Sequence, residues 1–243
     1  MHDIDIDAVL LVGGMGTRLR AVLPSTPKPL ASLGSQKFLE LLVRQLRSQG
    51  IRRIVMSTGY LADQIEHEFG DGKRFDAAIR YSRETQPLGT AGAVKLASHY
   101  LKDSPMFLVM NGDSFSEADF RRLIGFHRER GGLVTMAVRR VENSARYGTV
   151  RINNESRVTG FSEKTGNTTP GTINAGVYVF SRAIFEHIPE GNVSLEREVF
   201  PKILPLGVYA LEQQGIFIDI GTPEDYARAQ ALCDQLSDAA SRG

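Results

Sequence analysis

From Leu10 to Leu30 the chain reads LLVGGMGTRLRAVLPSTPKPL: a short apolar run, a glycine-rich turn, then an arginine and a lysine separated by a proline-studded loop. Gly13, Gly14 and Gly16 permit positive φ and close ligand approach, so main-chain N–H groups and the start of a following helix can face anionic oxygens. Arg18 and Lys28 add fixed positive charge. Lys28 stands between Pro27 and Pro29, which restrict the backbone on both sides of it. Two better-known phosphate loops are excluded. No lysine follows Gly16 as a Walker loop requires, and Leu19 occupies the third glycine position of a dinucleotide-binding turn. The glycines alone would equally make a tight strand-to-helix turn. With Arg18 and Lys28 added, the stretch reads as a triphosphate site.

Apolar runs of strand character recur near 8–12, 53–57, 78–82, 106–110 and 133–138, most of them separated by segments of helical period. Leu39, Leu42, Val43 and Leu46 fall on one helix face, as do Phe120, Leu123, Ile124 and His127. This alternation predicts an α/β fold with a mixed, mostly parallel central sheet and helices on both faces, Rossmann-like in its layering. Residues 147–153, 157–164 and 172–181 instead alternate as strands, with a turn at Asn153-Asn154, and predict a small antiparallel excursion. Farther on, 195–204 reads as helix and 207–211 and 216–219 as strands. Thr222-Pro223 marks a helix start, with the threonine as N-cap.

The chain has 243 residues, 42% of them apolar, enough for one sizeable core, and a single domain over 1–243 is expected. A net charge of +1 with interspersed signs offers no field for nucleic acid. The pairs Arg52-Arg53, Arg121-Arg122 and Arg139-Arg140 read as solvated surface. A lone cysteine, Cys233, suits a reducing compartment and shares a helical stripe with Ala229, Leu232 and Leu236, which reads as a buried, inert thiol. Acidic residues at the N-terminus and short apolar runs argue against a signal peptide or a membrane partner, so a cytoplasmic location is expected.

Ligands of open parallel sheets sit beyond the carboxyl ends of the strands. Gly13-Gly14, Asn111-Gly112-Asp113 and Asp219 all occupy such ends. Asp113 and Asp219 could converge over the glycine loop and hold one magnesium ion, which prefers one or two carboxylates plus substrate phosphate oxygens. Each aspartate also has a plain reading, as a turn or a polar strand end. The histidines show no metal spacing, and no nucleophile stands near a base in pattern, so covalent catalysis is not suggested.

With these residues assembled, the chain resembles the sugar-phosphate nucleotidyltransferases. The resemblance rests on the glycine loop, Pro27-Lys28-Pro29-Leu30, Pro87-Leu88-Gly89-Thr90-Ala91, Asn111-Gly112-Asp113, Tyr147-Gly148, Glu163-Lys164, Asn174-Ala175-Gly176 and Asp219-Ile220-Gly221-Thr222-Pro223, in family order. It implies that Arg18, Lys28 and Asp113 are catalytic and that Asp113 and Asp219 hold Mg2+. Leu11, Gly13, Gly14, Gly16, Thr17, Arg18, Glu84, Gly89, Thr90 and Gly112 would surround the nucleotide. Tyr147, Gly148, Glu163, Lys164, Asn174 and Gly176 would surround the sugar phosphate. Asn174-Ala175-Gly176 departs from many members, which carry a second glycine.

The resemblance also places Glu84 toward the base. A carboxylate suits the adjacent N1–H and N2–H donors of guanine, so GTP is the expected donor; the bland alternative is a surface loop residue. The phrases at 171–178 and 217–226, and the length, look most like D-glycero-α-D-manno-heptose 1-phosphate guanylyltransferases. Mannose 1-phosphate guanylyl transfer and N-acetylmuramate 1-phosphate uridylyl transfer are the alternatives, and a noncatalytic nucleotide-sugar-binding regulator is a rival from another class. The expected partners are GTP and a sugar 1-phosphate, with homo-oligomerisation left open.

Overall fold

In the first strand, β1 (Asp7–Leu11), Ala8 and Leu10 pack into one apolar cluster while Val9 packs into another on the opposite face. A strand covered on both sides has no need of polar alternation, which is why this run is apolar throughout. The computed structural model describes residues 3–102, 104–162 and 168–242. The remaining strands are β2 (Ser32–Leu33), β3 (Gln36–Lys37), β4 (Arg53–Thr58), β5 (Ala78–Arg83), β6 (Met106–Asn111), β7 (Ser114–Ser116) and β8 (Val134–Val141). They continue as β9 (Thr149–Ile152), β10 (Val158–Ser162), β11 (Gly171–Ser181), β12 (Val208–Glu212) and β13 (Phe217–Asp219).

Among the described residues, nine strands form one sheet in the order β10-β9-β11-β6-β1-β4-β5, with β8 paired to β11 and β12 paired to β8. Strands β6, β1, β4 and β5 run parallel, and β12 runs parallel to β8. The antiparallel excursion joins the same sheet through the long strand β11, which pairs antiparallel with β6, β8 and β9. Asn153 makes the turn between β9 and β10, its Oδ1 accepting from the backbone N–H groups of Glu155 and Arg157.

The helices are α1 (Phe38–Ser48), α2 (Ala62–Phe69), α3 (Gly89–Ala97), α4 (Phe120–Arg130), α5 (Phe200–Ile203), α6 (Pro223–Ala231) and α7 (Cys233–Ser241). Phe38, Leu42, Phe120 and Leu123 cover one face of the sheet; Ala91, Val94 and Phe200 cover the other. Each fully buried phenylalanine contributes roughly 1.5–3 kcal/mol of transfer free energy. Asp119 caps α4, accepting from Arg122 N (2.9 Å), and Thr222 caps α6, accepting from Asp225 N (3.3 Å). No helix among the described residues is long and apolar enough to cross a membrane.

Three expectations need correction. The segment expected as one helix over 195–204 is a π-turn at Leu195–Val199 followed by the short α5. Cys233 is half-buried, because the helix breaks at Leu232, and its thiol is pushed up by its hydrogen bond to the Asp234 carboxylate. Arg139 is 7% exposed and lies inside the molecule, unlike its exposed neighbour Arg140. His127 packs as expected. Ser181 Oγ donates its one proton to Gly132 O (2.7 Å), so it accepts from His127 Nε2–H (3.0 Å), and Nδ1 accepts from Thr135 Oγ1 (3.0 Å).

Candidate active site

The ends of β1, β4 and β6 are knitted together: Val12 N donates to Ser57 O (3.0 Å) and Gly112 N donates to Leu11 O (2.9 Å). Over them opens a cleft of about 190 Å³ whose lining includes Gly14, Thr17, Arg18, Lys28, Asp113 and Gly221. Residues expected at the triphosphate from three separate stretches of sequence therefore face one space.

The glycine loop works differently from the expectation. Only Gly16 of its three glycines has positive φ (+56°), and a Cβ there would stand 3.1 Å from Lys28 Cβ, so the missing side chain makes room for the lysine stem. Gly13 is held by proximity, since a Cβ would come within 2.9 Å of Glu84 Oε1 and 3.1 Å of Gly59 N; the space beside Gly14 is open. The loop leads into a single 3-10 turn, Thr17–Leu19, where a helix was expected. A second such turn, Lys28–Leu30, follows the proline-rich stretch. As the segment right after the glycine loop is a short 3-10 turn, loop N–H groups, Arg18 and Lys28 are the groups from this stretch that can meet anionic charge.

Lys28 Nζ donates to Asp113 Oδ2 at 2.8 Å, with the lysine side chain 9% exposed and the carboxylate 46%. Asp219 ends β13, which pairs antiparallel with β7, placing Asp219 opposite Ser114, and Ile220 N donates to Asp113 O (3.0 Å). Burial raises the Asp219 carboxyl above its ordinary value; the charge of Asp113 raises it further and Lys28 opposes both. Gly221 N donates to Asp219 Oδ1, and a Cβ at Gly221 would lie 3.5 Å from Arg18 Nη2, so the guanidinium reaches the same neighbourhood.

Asp219 feels the charge of Asp113, so the two carboxylates are close enough to be weighed as donors to one hard cation. Among the described residues no three His, Cys, Asp or Glu side chains cluster as metal ligands. A pair of hard oxygen donors fits magnesium, which keeps water and substrate phosphate in its remaining positions, and does not fit a closed all-protein cage.

A second cavity of about 500 Å³ adjoins the first, lined in part by Leu11, Gly13, Ser57, Tyr60, Glu84 and Thr90. Glu84 is half-buried, which raises its carboxyl, and Oε2 accepts from Leu88 N (2.9 Å). One carboxylate oxygen is thus committed to the turn ahead of α3, and Oε1 is the oxygen beside Gly13. Thr90 Oγ1 donates to Glu196 Oε2 (2.9 Å) and accepts from Leu195 N (2.8 Å), drawing the π-turn to this cavity's rim. Sequence reading missed Glu196. Ser194, capping that turn, was the one local signal, and nothing in the pattern foretold that Thr90 would meet it.

Tyr147 packs edge-on against Phe217 (5.7 Å), two residues before Asp219. Its loop is fastened to α6 by an ion pair between Arg146 and the buried Asp225. In the same loop, Gly148 would bring a Cβ to 3.2 Å from Ser162 O. Asn174 is occupied at both ends: Nδ2 donates to Tyr178 Oη (2.7 Å) and Oδ1 accepts from Gly176 N (3.0 Å), bracing the irregularity in β11 between Asn174 and Tyr178. A Cβ on Gly176 would stand 2.9 Å from both Asn111 Nδ2 and Ser114 Oγ, which sets Gly176 against the end of β6 that leads to Asp113. Glu163 and Lys164 lie outside the described residues.

With this geometry in place, a family model described as Nucleotidyl transferase matches residues 7–235. The chain is 40% identical over 230 residues to a mannose-1-phosphate guanylyltransferase of Mycobacterium tuberculosis, covering 93% of this chain and 64% of that protein. It is 38% identical over 227 residues to a D-glycero-alpha-D-manno-heptose 1-phosphate guanylyltransferase of Aneurinibacillus thermoaerophilus, covering 93% and 97%. A crystal structure of HddC from Yersinia pseudotuberculosis, complexed with GMP-PN, superposes with a TM-score of 0.84 at 34% identity, covering 93% of this chain and 98% of that one. The chain spans just under two thirds of the length of the mannose-1-phosphate relative.

Proposed function

The chain belongs to the nucleotidyl transferase family, and from that premise we propose that it transfers GMP from GTP to a sugar 1-phosphate, releasing pyrophosphate. The family match over 7–235 supports reading it as one catalytic domain. The observation that carries the reading is the meeting of Lys28 Nζ, Asp113 and the end of β13 in the cleft under the glycine loop.

The nucleophile is a sugar-phosphate oxygen, already anionic, so the protein need not supply a general base. That oxygen attacks the α-phosphorus, the bond to the bridging oxygen of the β-phosphate breaks, and pyrophosphate departs with that electron pair. Two anions must be aligned while their repulsion is offset. In this proposal the loop N–H groups around Gly14 and Gly16 orient the triphosphate, and Arg18 and Lys28 meet the charge that develops on the leaving pyrophosphate. Asp113 and Asp219 would hold magnesium, which when bound neutralises phosphate charge. Lys28, whose ammonium lies against Asp113 in the same cleft, would meet phosphate there.

For the base, guanine rests on the two relatives named as guanylyltransferases. With Oε2 held by Leu88 N, Glu84 has Oε1 alone to offer a base donor, so it accepts one N–H and does not take both donors of guanine. The two named relatives both act, by name, on manno-configured sugar 1-phosphates. We place the heptose 1-phosphate first on the wording of 171–178 and 217–226, with mannose 1-phosphate favoured instead by the relative at 40% identity. Tyr147, Gly148, Glu163, Lys164 and Gly176 are the proposed sugar-phosphate surroundings, and Asn174 acts there through the backbone it braces. A cytoplasmic location belongs to the same proposal.

The test is pyrophosphate release with Mg2+, each of the four nucleoside triphosphates and a panel of sugar 1-phosphates. Release with GTP and a manno-configured sugar is expected. Release only with UTP or dTTP would overturn the guanine assignment, and none with any pair would overturn the transfer itself.

A further inference from the structure

Strand β13 carries Asp219 but lies outside the nine-stranded sheet; among the described residues it pairs only with β7, in a ribbon three residues long. Two strands of that length are marginal without support. At one end of the ribbon stand Asp219 and, one residue before β7, Asp113. The opposite end is Ser116-Glu117 facing Ile216. Roughly 3.3 Å per residue separates these ends, so any play at the far end is passed along a short lever to Asp219.

That far end is where the buried Arg139 goes. Its Nη1 donates to Gly215 O, and Nη2 donates to Gln214 O (3.1 Å), Glu117 O (3.3 Å) and, at 3.5 Å, Ser116 Oγ. The guanidinium thus joins the last residues of β7 to the loop that delivers β13, from a position on β8 in the main sheet. Glu117 completes the tie: its N–H donates to Ile216 O (2.8 Å) and its Oε2 accepts from Ile216 N (2.9 Å). Burial lowers the Arg139 pKa, and the charges of Glu117 and Glu212 oppose this. Keeping a cation at this depth is costly unless donors are satisfied, and here both Nη groups are spent on carbonyls that flank the two strands of the ribbon, while Nε is buried without a partner. An aliphatic residue would fill the space without linking anything.

We propose that Arg139 is a positioning residue for the divalent-ion site: by clamping the closed end of the β7–β13 ribbon to the sheet, it sets the spacing of Asp219 from Asp113. This rests on the proposed ion site but not on the identity of the substrates. Arg139 itself does not reach the cleft.

The experiment uses the full chain with Arg139→Lys, which keeps the charge but cannot span both strands, and Glu117→Ala, which removes the side-chain tie to Ile216 N. Mn2+ binding in the presence of GTP is followed by electron paramagnetic resonance, alongside GTP binding without metal and thermal unfolding in EDTA. Mn2+ affinity falls about tenfold in Arg139→Lys and less in Glu117→Ala, the scale on which outer supports of metal ligands act. Metal-free GTP binding stays within about twofold, because Arg139 lines neither cavity beside the glycine loop. Unchanged Mn2+ affinity in a folded Arg139→Lys protein would overturn the proposal. If that variant unfolds, Glu117→Ala decides: wild-type Mn2+ affinity there overturns it, and a drop supports it. A wild-type protein that binds Mn2+ with GTP but releases no pyrophosphate would defeat the transfer reaction while leaving this clamp testable.

Discussion

Two regions of the molecule bring charge to the same cleft by different means. The glycine loop hangs from the end of β1 and Asp113, which Lys28 meets, from the end of β6; both are central strands of a nine-stranded sheet, paired on both sides. Asp219 hangs from a three-residue ribbon that owes its placement to side chains, with Arg139 behind it, Tyr147 on Phe217, and Arg146 on Asp225. The first region is rigid through backbone hydrogen bonds. The second depends on a few buried polar contacts, so single substitutions there should be felt at a distance.

The contrast can be broken most forcefully at Lys28. Lys28→Ala should lower turnover roughly 10²- to 10³-fold, the cost of one preorganised electrostatic contact, with little change in thermal stability. Steady-state pyrophosphate release together with calorimetry checks this, and near-normal turnover would remove Lys28 from the catalytic set. The ribbon side should respond in the other way, with metal affinity falling before turnover at saturating metal does.

Acid should separate the regions as well. His127 is buried between Thr135 and Ser181 in the antiparallel half, and burial lowers its pKa to about 4 from 6.5. Below pH 6.5 the unfolded chain takes up a proton that the folded chain refuses. Its contribution is therefore intact above pH 6.5 and is lost as pH falls toward 4, about 3 kcal/mol in all. Urea unfolding from pH 7 to pH 4.5 should show this loss, and His127→Gln should flatten the slope; parallel slopes in both proteins would exclude His127 as the cause.

At smaller scale, Thr222→Ala removes the cap of α6 and should cost about 1 kcal/mol of stability. It also removes one partner of the Arg146–Asp225 contact, so KM for the sugar phosphate should rise more than KM for GTP. Equal changes in both constants would uncouple the α6 cap from the sugar side.

How much of this was legible in the sequence follows the same divide. Strand β1, the faces of α1 and α4, Lys28 between its prolines, and the Thr222 cap are local patterns, and each lies where periodicity or capping chemistry placed it. Arg139 was misread as surface because its partners, Glu117 and Gln214–Gly215, are 22 and 75–76 residues away and are carbonyl oxygens that every residue has. Asn174 was read as a sugar ligand, and its amide also makes local bonds, to Gly176 and Tyr178, that no residue-type pattern announced. Glu196 escaped notice because it reaches the cavity only through Thr90, 106 residues earlier. Sequence pattern reports what a residue type can do; which group it meets is decided by the packing of distant segments.

Everything proposed for this chain turns on whether Asp113 and Asp219, delivered by these two unlike supports, grip one divalent ion. Counting Mn2+ bound per chain in the presence of GTP, for wild type, Asp113→Asn and Asp219→Asn, decides it. One tightly bound ion in wild type, weakened at least tenfold by either substitution, is expected. Wild-type binding retained by both variants would contradict it.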